Sequence, residues 1–178
     1  MSDGKLRGIL YIMFIYHGSD VAVHIPKILS ANRFLDFGEG FYTTSSYEQA
    51  ISWARRVRDN RSSEYAIISV YDFDIDKAKK NLHIIQFYGP DPEWLRFVVS
   101  CRTGKTQPCT YDIAMGPVAN DNVYETIRLF ETGILSERET IIRLKIAEIY
   151  SQILFHTEQS LSYCVYARHE SLKEAANE

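Results

Sequence analysis

Two short stretches of this 178-residue chain carry the residue types that could do chemistry. In Tyr16-His17-Gly18-Ser19 an imidazole closes an apolar run and is followed at once by a glycine. In Asp36-Phe37-Gly38-Glu39-Gly40-Phe41-Tyr42-Thr43-Thr44 two glycines flank a carboxylate and lead into an aromatic pair. Glycines this close mark backbone that takes a positive φ or lets another group come near. Aromatics directly after such a bend offer a flat platform. Taken alone, the second stretch is also what a tight turn between core elements looks like, because short glycine motifs are weakly specific. The chemistry on offer is the gripping of a flat ligand.

The elements around these stretches must position them. Ile9 to Tyr16 reads as a strand buried on both faces, with His17 at its end and a turn through Gly18-Ser19-Asp20. Ser45 with Glu48 three residues on reads as a capping box, and Ala50, Ile51, Ala54 and Val57 recur at helical spacing to about Arg58. That helix starts beside the glycine stretch, and its free amides favour an anion such as a dinucleotide phosphate. Farther on, Tyr65–Tyr71 and Leu82–Phe87 read as strands. Asp72, Asp74 and Asp76 lack the central glycine and closing glutamate of a calcium loop, so they read as a solvated strand end.

Asp91-Pro92-Glu93 opens a helix with a stripe of Trp94, Phe97, Val98 and Cys101, and a loop from Arg102 to Pro108 leads to a strand at Tyr111–Met115. Asn120 or Asp121 caps a helix containing Val123, Ile127 and Phe130, stopped by Gly133. Ser136 and Glu139 box the next helix, which carries Ile142, Leu144, Ile146 and Ile149. Strands follow at Gln152–His156 and Tyr163–Ala167, with residues 157–161 as a turn or short helix between them. The order lacks regular βαβ alternation, a GxGxxG and a P-loop, so the expected class is α+β with a mainly antiparallel sheet. A single domain is expected over 1–178, with a core at about 9–167 and a charged tail at about 170–178.

Composition bounds the function. The net charge of −3 argues against a protein that broadly coats nucleic acid. The local run Arg55-Arg56 with Arg58 and Arg61 reads as a solvated helix face, part of which could meet phosphates. Three cysteines without a CxxC, and no signal peptide, point to a reducing, cytoplasmic setting. No run is long enough to span a bilayer. No His/Cys/Asp cluster has metal-site spacing; His24 and His83, on apolar segments, read as structural rather than as ligands, and His156 alternates to the opposite strand face from Gln152.

Read together, the two stretches resemble the first two motifs of the ADP-ribosyltransferase superfamily, in its branch with a His-Tyr-third-residue signature. That branch places His-Gly-(Ser/Thr) at the end of the first strand and Gly-x-Gly-(aromatic)-Tyr ahead of the second. More narrowly, the chain resembles a bacterial family of unknown function within that superfamily. The likeness extends through Gln49-Ala50, Trp53-Ala54, Glu93-Trp94-Leu95, Phe97-Val98, Asp112-Ile113 and Gly116-Pro117-Val118-Ala119 to Gln152-Ile153-Leu154-Phe155-His156-Thr157-Glu158, so it covers roughly residues 9 to 167.

The resemblance implies a split β-sandwich with flanking and inserted helices that holds NAD as co-substrate, without a metal. By position, His17 bonds a ribose hydroxyl and the Gly18 backbone holds the nicotinamide amide. Ser19, Gly40 and Phe41 complete the binding motifs, and Tyr42 stacks on the nicotinamide ring. The third position falls on Gln152, where the best-known transferases carry Glu. A glutamine carbonyl still accepts a hydroxyl hydrogen bond, but it brings no full negative charge to an oxocarbenium-like state. Glu158 reaches the cleft only if its turn folds back, and Glu39 is the alternative that meets the acceptor.

The implied activity is NAD-dependent mono-ADP-ribosylation of a protein, nucleic acid or small molecule, in the setting of a bacterial toxin with an antitoxin partner. The alternatives are a module that binds NAD or ADP-ribose without turnover, and an interaction domain that keeps only the fold.

Overall fold

The computed structural model describes residues 12–29, 35–104, 110–118, 121–144 and 151–172. It has a mixed α+β architecture of two sheets, with six helices among the described residues. The first sheet orders β1 (Ile12–Ser19), β3 (Ala66–Asp74) and β7 (Cys164–Leu172). The second orders β2 (Phe41–Thr43), β6 (Ser151–Phe155), β5 (Ile113–Pro117) and β4 (Ile84–Gln86). Every pairing is antiparallel except β4 with β5.

Alternation along the strands sends one face of each sheet to a shared core. Ile15, Tyr71, Phe73 and Cys164 from the first sheet meet Phe41, Ile113, Met115, Ile153 and Phe155 from the second. Edge-to-face contacts lock this layer: Phe73 to Phe155 at 5.3 Å and Phe41 to Tyr71 at 5.6 Å between ring centroids.

The outer faces are covered by helices. On the first sheet, α1 (Tyr47–Arg61) packs Ala50 and Ala54 against Ala66, Ile68 and Val70. On the second, α3 (Pro92–Arg102), α4 (Asp121–Glu131) and α5 (Glu137–Leu144) enclose Ala114 and Leu154 with Trp94, Leu95, Val98, Val123, Ile127 and Leu144. Two short helices, α2 (Ile75–Asn81) and α6 (Glu158–Leu161), connect strands.

Among the described residues one isolated β-bridge joins the sheets. Tyr16 and Thr44 exchange both main-chain hydrogen bonds, at 2.8 and 2.9 Å, and beyond them β1 and β2 part.

Several expectations shift. β1 is not buried on both faces: Ile15 is enclosed, while Ile12 and Phe14 are about half exposed. The packing of α1 reaches Tyr16 but not this end of the strand, where the Arg168 guanidinium lies over the Phe14 ring at 5.3 Å. The cap of α1 is Ser46 rather than Ser45, because Thr44 still holds the chain: its Oγ1 accepts from Ser46 N at 3.0 Å, and Ser46 Oγ in turn accepts from Gln49 N at 3.2 Å.

Asp72 and Asp74 lie on β3 and Asp74 ends it, partly exposed as expected, while Asp76 falls in the helix that follows. Asp74 caps α2 by accepting from Lys77 N at 2.9 Å, a helix that alternation concealed. β7 continues to Leu172, beyond the expected start of the tail, because β3 offers it a partner as far as Ala66. The caps at Asp91 and Ser136 stand as read. The strand start at 9–11, Cys109, Ile146, Ile149 and the tail from 173 lie outside the described residues.

Candidate functional site

His17 stands on β1 with its side chain on the face turned to the second sheet. Its Nδ1 lies 2.7 Å from the carbonyl oxygen of Tyr42. A carbonyl can only accept, so Nδ1 carries the hydrogen and Nε2 keeps a lone pair. Burial lowers the pKa of the imidazole, opposed in part by the Tyr42 hydrogen bond, so the ring is held neutral. The ring beside it is that of Phe41, centroids 4.6 Å apart and tilted by 31°.

Gly18 serves two sides at once. The alternation that turns the N–H and C=O of Tyr16 to Thr44 turns those of Gly18 to the same outer edge of β1, just where β2 has left it. Its other requirement is steric. A Cβ at Gly18 would lie 2.3 Å from Ala50 O and 2.7 Å from Ala54 N, so α1 rests directly on this residue. The neighbouring Ser19 is buried and donates to Asp20 at 3.3 Å. Asp20 is tied to the far end of α1 by Ser63 Oγ at 2.7 Å and Arg61 at 2.8 Å, and these partners hold its carboxyl below the usual range.

The glycine stretch folds back on itself. Gly38 takes φ +86°, and Gly40 takes φ +150° with a Cβ position only 2.4 Å from Phe155 O, so β6 leaves no room there for a side chain. The Tyr42 hydroxyl donates to Gly38 O at 2.7 Å and accepts from Phe37 N at 3.2 Å. Burial pushes its pKa up, so it remains a phenol. Its ring packs against the Phe37 and Trp94 cluster, on the opposite face of β2 from Phe41, and stays partly exposed. Tyr42 therefore reaches His17 through its backbone and not through its ring.

Gln152 is buried on the helix-covered face of β6, the side of Leu154 and Tyr42. Its Nε2 donates to Pro117 O at 3.4 Å, an oxygen that also accepts from Trp94 Nε1 at 3.1 Å. The geometry thus brings Tyr42 and Gln152 to one face and puts the His17 ring on the other. Glu158 is the exposed first residue of α6, and Glu39 is exposed with its carbonyl bonded to His156 Nδ1 at 2.5 Å.

Sequence reading missed two anchors. Thr44 Oγ1 lies 2.6 Å from Gln49 Oε1 and 2.7 Å from Ser151 O, tying β2, α1 and β6 at the point where the sheets part. His156 holds the glycine stretch to the end of β6. Only the hydroxyl run 43–46 hinted at the first, and nothing local signals the second. The arginine run of α1 is largely engaged: Arg61 with Asp20, Arg58 with Asp59, and Arg56 over the Trp53 ring at 5.9 Å.

Among the described residues no group of three or more His, Cys, Asp or Glu is placed to hold a metal ion, and no helix is long and apolar enough to cross a membrane. No curated protein and no solved structure matches the chain. Residues 13–166, which carry His17, Tyr42 and Gln152, match the family described as "Protein of unknown function (DUF3990)", and the chain belongs to that family.

Proposed function

We propose that this chain holds NAD where β1 and β2 part and transfers its ADP-ribose group to an acceptor, as a mono-ADP-ribosyltransferase. The observation that carries the reading is the neutral His17, fixed by Tyr42 O at 2.7 Å with Nε2 left to accept a hydrogen bond. That nitrogen suits a ribose hydroxyl. The outward N–H and C=O of Gly18 suit a carboxamide, which needs one donor and one acceptor. Two sheets that meet at the Tyr16–Thr44 bridge support the split-sandwich reading of the fold. Tyr42, its hydroxyl fixed by two hydrogen bonds to the glycine turn and its ring partly exposed, is the aromatic surface this reading assigns to the nicotinamide.

NAD supplies the ribose–nicotinamide bond that breaks, and the chain's residues orient it and keep it from water. The acceptor, whether protein, nucleic acid or small molecule, rests on the superfamily resemblance, as do the toxin role and an antitoxin partner. A cytoplasmic setting rests on cysteine usage, and Cys101 and Cys164 are buried and in no disulfide.

Gln152 favours a second reading. Its amide is committed to Pro117 O on the helix-covered face, away from the His17 ring, which suits a module that binds NAD or ADP-ribose without turnover. Incubation of the purified protein with NAD separates the two. Nicotinamide release that is lost in His17→Ala supports the transferase. Ligand-dependent thermal stabilisation without release supports the binding module. Neither effect, with lysate acceptors supplied, overturns both.

A further inference from the structure

Residues three apart on a regular strand point to opposite faces. β7 escapes this rule between Tyr166 and His169. Tyr166 pairs with Tyr71 and Arg168 with Val70, so Ala167 is an extra residue, a bulge that restores both rings to one face. There the Tyr166 hydroxyl lies 2.6 Å from His169 Nδ1. The segment leaving β1 crosses the same face. Val23 N–H donates to Ser69 Oγ at 2.9 Å, and Val23 C=O accepts from the Tyr71 hydroxyl at 2.6 Å. Ser69 is the cross-strand partner of His169 and Tyr71 that of Tyr166. The next residue, His24, thereby brings its ring to 4.7 Å from Tyr166 and 5.6 Å from His169, centroid to centroid.

We propose that His24 and His169 are the protein ligands of a site for a divalent transition cation of the zinc class, with Tyr166 orienting His169 and water completing the coordination.

The ring separation fits. Zinc–nitrogen bonds of about 2.0–2.1 Å at a tetrahedral angle put two imidazole centroids about 5.3 Å apart, close to the 5.6 Å found. The tautomer fits as well. A cation on Nε2 of His169 leaves Nδ1 to donate to the Tyr166 oxygen, which is free to accept, and an outer partner of this kind fixes ring orientation and raises basicity. Both histidines are exposed, so a cation reaches them from solvent. His17, Ser69 and His169 lie in one row across the first sheet. A cation at the far end of that row pins residues 20–29 to β7 without touching His17.

The test is calorimetric titration of the chelator-treated full chain with zinc chloride, together with thermal melts. One zinc per chain is expected, with a higher melting temperature. His24→Ala and His169→Ala each weaken binding by at least about tenfold, and Tyr166→Phe weakens it by about 10–100-fold at unchanged stoichiometry. His83→Ala leaves it unchanged, since that ring is engaged with Thr110 O. Equal melting of all variants in chelator shows that the fold is intact. Absence of saturable zinc binding, or its survival in the His24→Ala/His169→Ala double variant, overturns the proposal.

Discussion

The imidazole of His17 is held by the main chain of Tyr42, Nδ1 to O at 2.7 Å, while the Tyr42 ring lies on the other face of its strand. Two residues expected to act through their side chains are thus linked through one side chain and one backbone carbonyl. The bond spans the split between the sheets and fixes the tautomer of the histidine, while burial keeps the ring neutral.

That state gives a pH dependence. The pKa of His17 is lowered from 6.5 by burial, so between the folded and unfolded values the unfolded chain binds the extra proton. Stability therefore rises with pH through this window, and the contribution present above about 6.5 is lost as the pH falls toward the folded pKa. Denaturant melts from pH 7.5 to 5.0 should show this decline, and His17→Gln, which does not titrate, should flatten it.

Gly18→Ala should destabilise the fold whether or not a ligand binds. Its Cβ meets the backbone of α1, at Ala50 O and Ala54 N, which cannot rotate aside. Overpacking of this kind costs about 1–3 kcal/mol. A lowered denaturation midpoint in the absence of NAD is the expected result, and an unchanged midpoint would show that α1 shifts freely.

Tyr42→Phe separates the hydroxyl from the ring. The change removes the part-buried hydrogen bonds to Gly38 O and from Phe37 N, each contributing about 0.5–1.5 kcal/mol. The ring remains, so NAD-dependent stabilisation should persist in Tyr42→Phe and fall in Tyr42→Ala. Equal loss in both variants would count against ring stacking.

Gln152→Glu is a direct probe of the third motif position. On the buried face a carboxylate would sit beside Pro117 O, an acceptor, with the amide donor gone. Burial of an unpaired charge shifts its pKa upward, so the variant should be less stable at pH 8 and recover as the pH is lowered to 5. If the chain instead uses this position on the reacting ribose, nicotinamide release is preserved or increased in the folded variant.

Much of the framework could be read in local signals. Asp91 and Ser136 announce their helices because a capping side chain and the amide it serves are neighbours in sequence. The strand over 66–71 follows from its own β-branched run. Asp74 ends its strand as read, but its second role as the cap of α2 was hidden because alternating carboxylates look the same at a strand end and at a helix cap. The end of β7 was misread because a charged segment becomes a strand only when a partner edge is there to receive it.

For the candidate site, the sequence by itself determined the residue types: a histidine followed by a glycine small enough for α1 to rest on, and glycines able to take φ of +86° and +150° ahead of an aromatic pair. Tertiary structure alone decided which of these residues meet. The register of β2 on β6 and the Tyr16–Thr44 bridge set the faces of the strands, turning Gln152 toward Trp94 and His17 toward Phe41. Strand alternation has a period of two, so each such assignment depends on pairings between residues far apart in the chain, which no local pattern encodes.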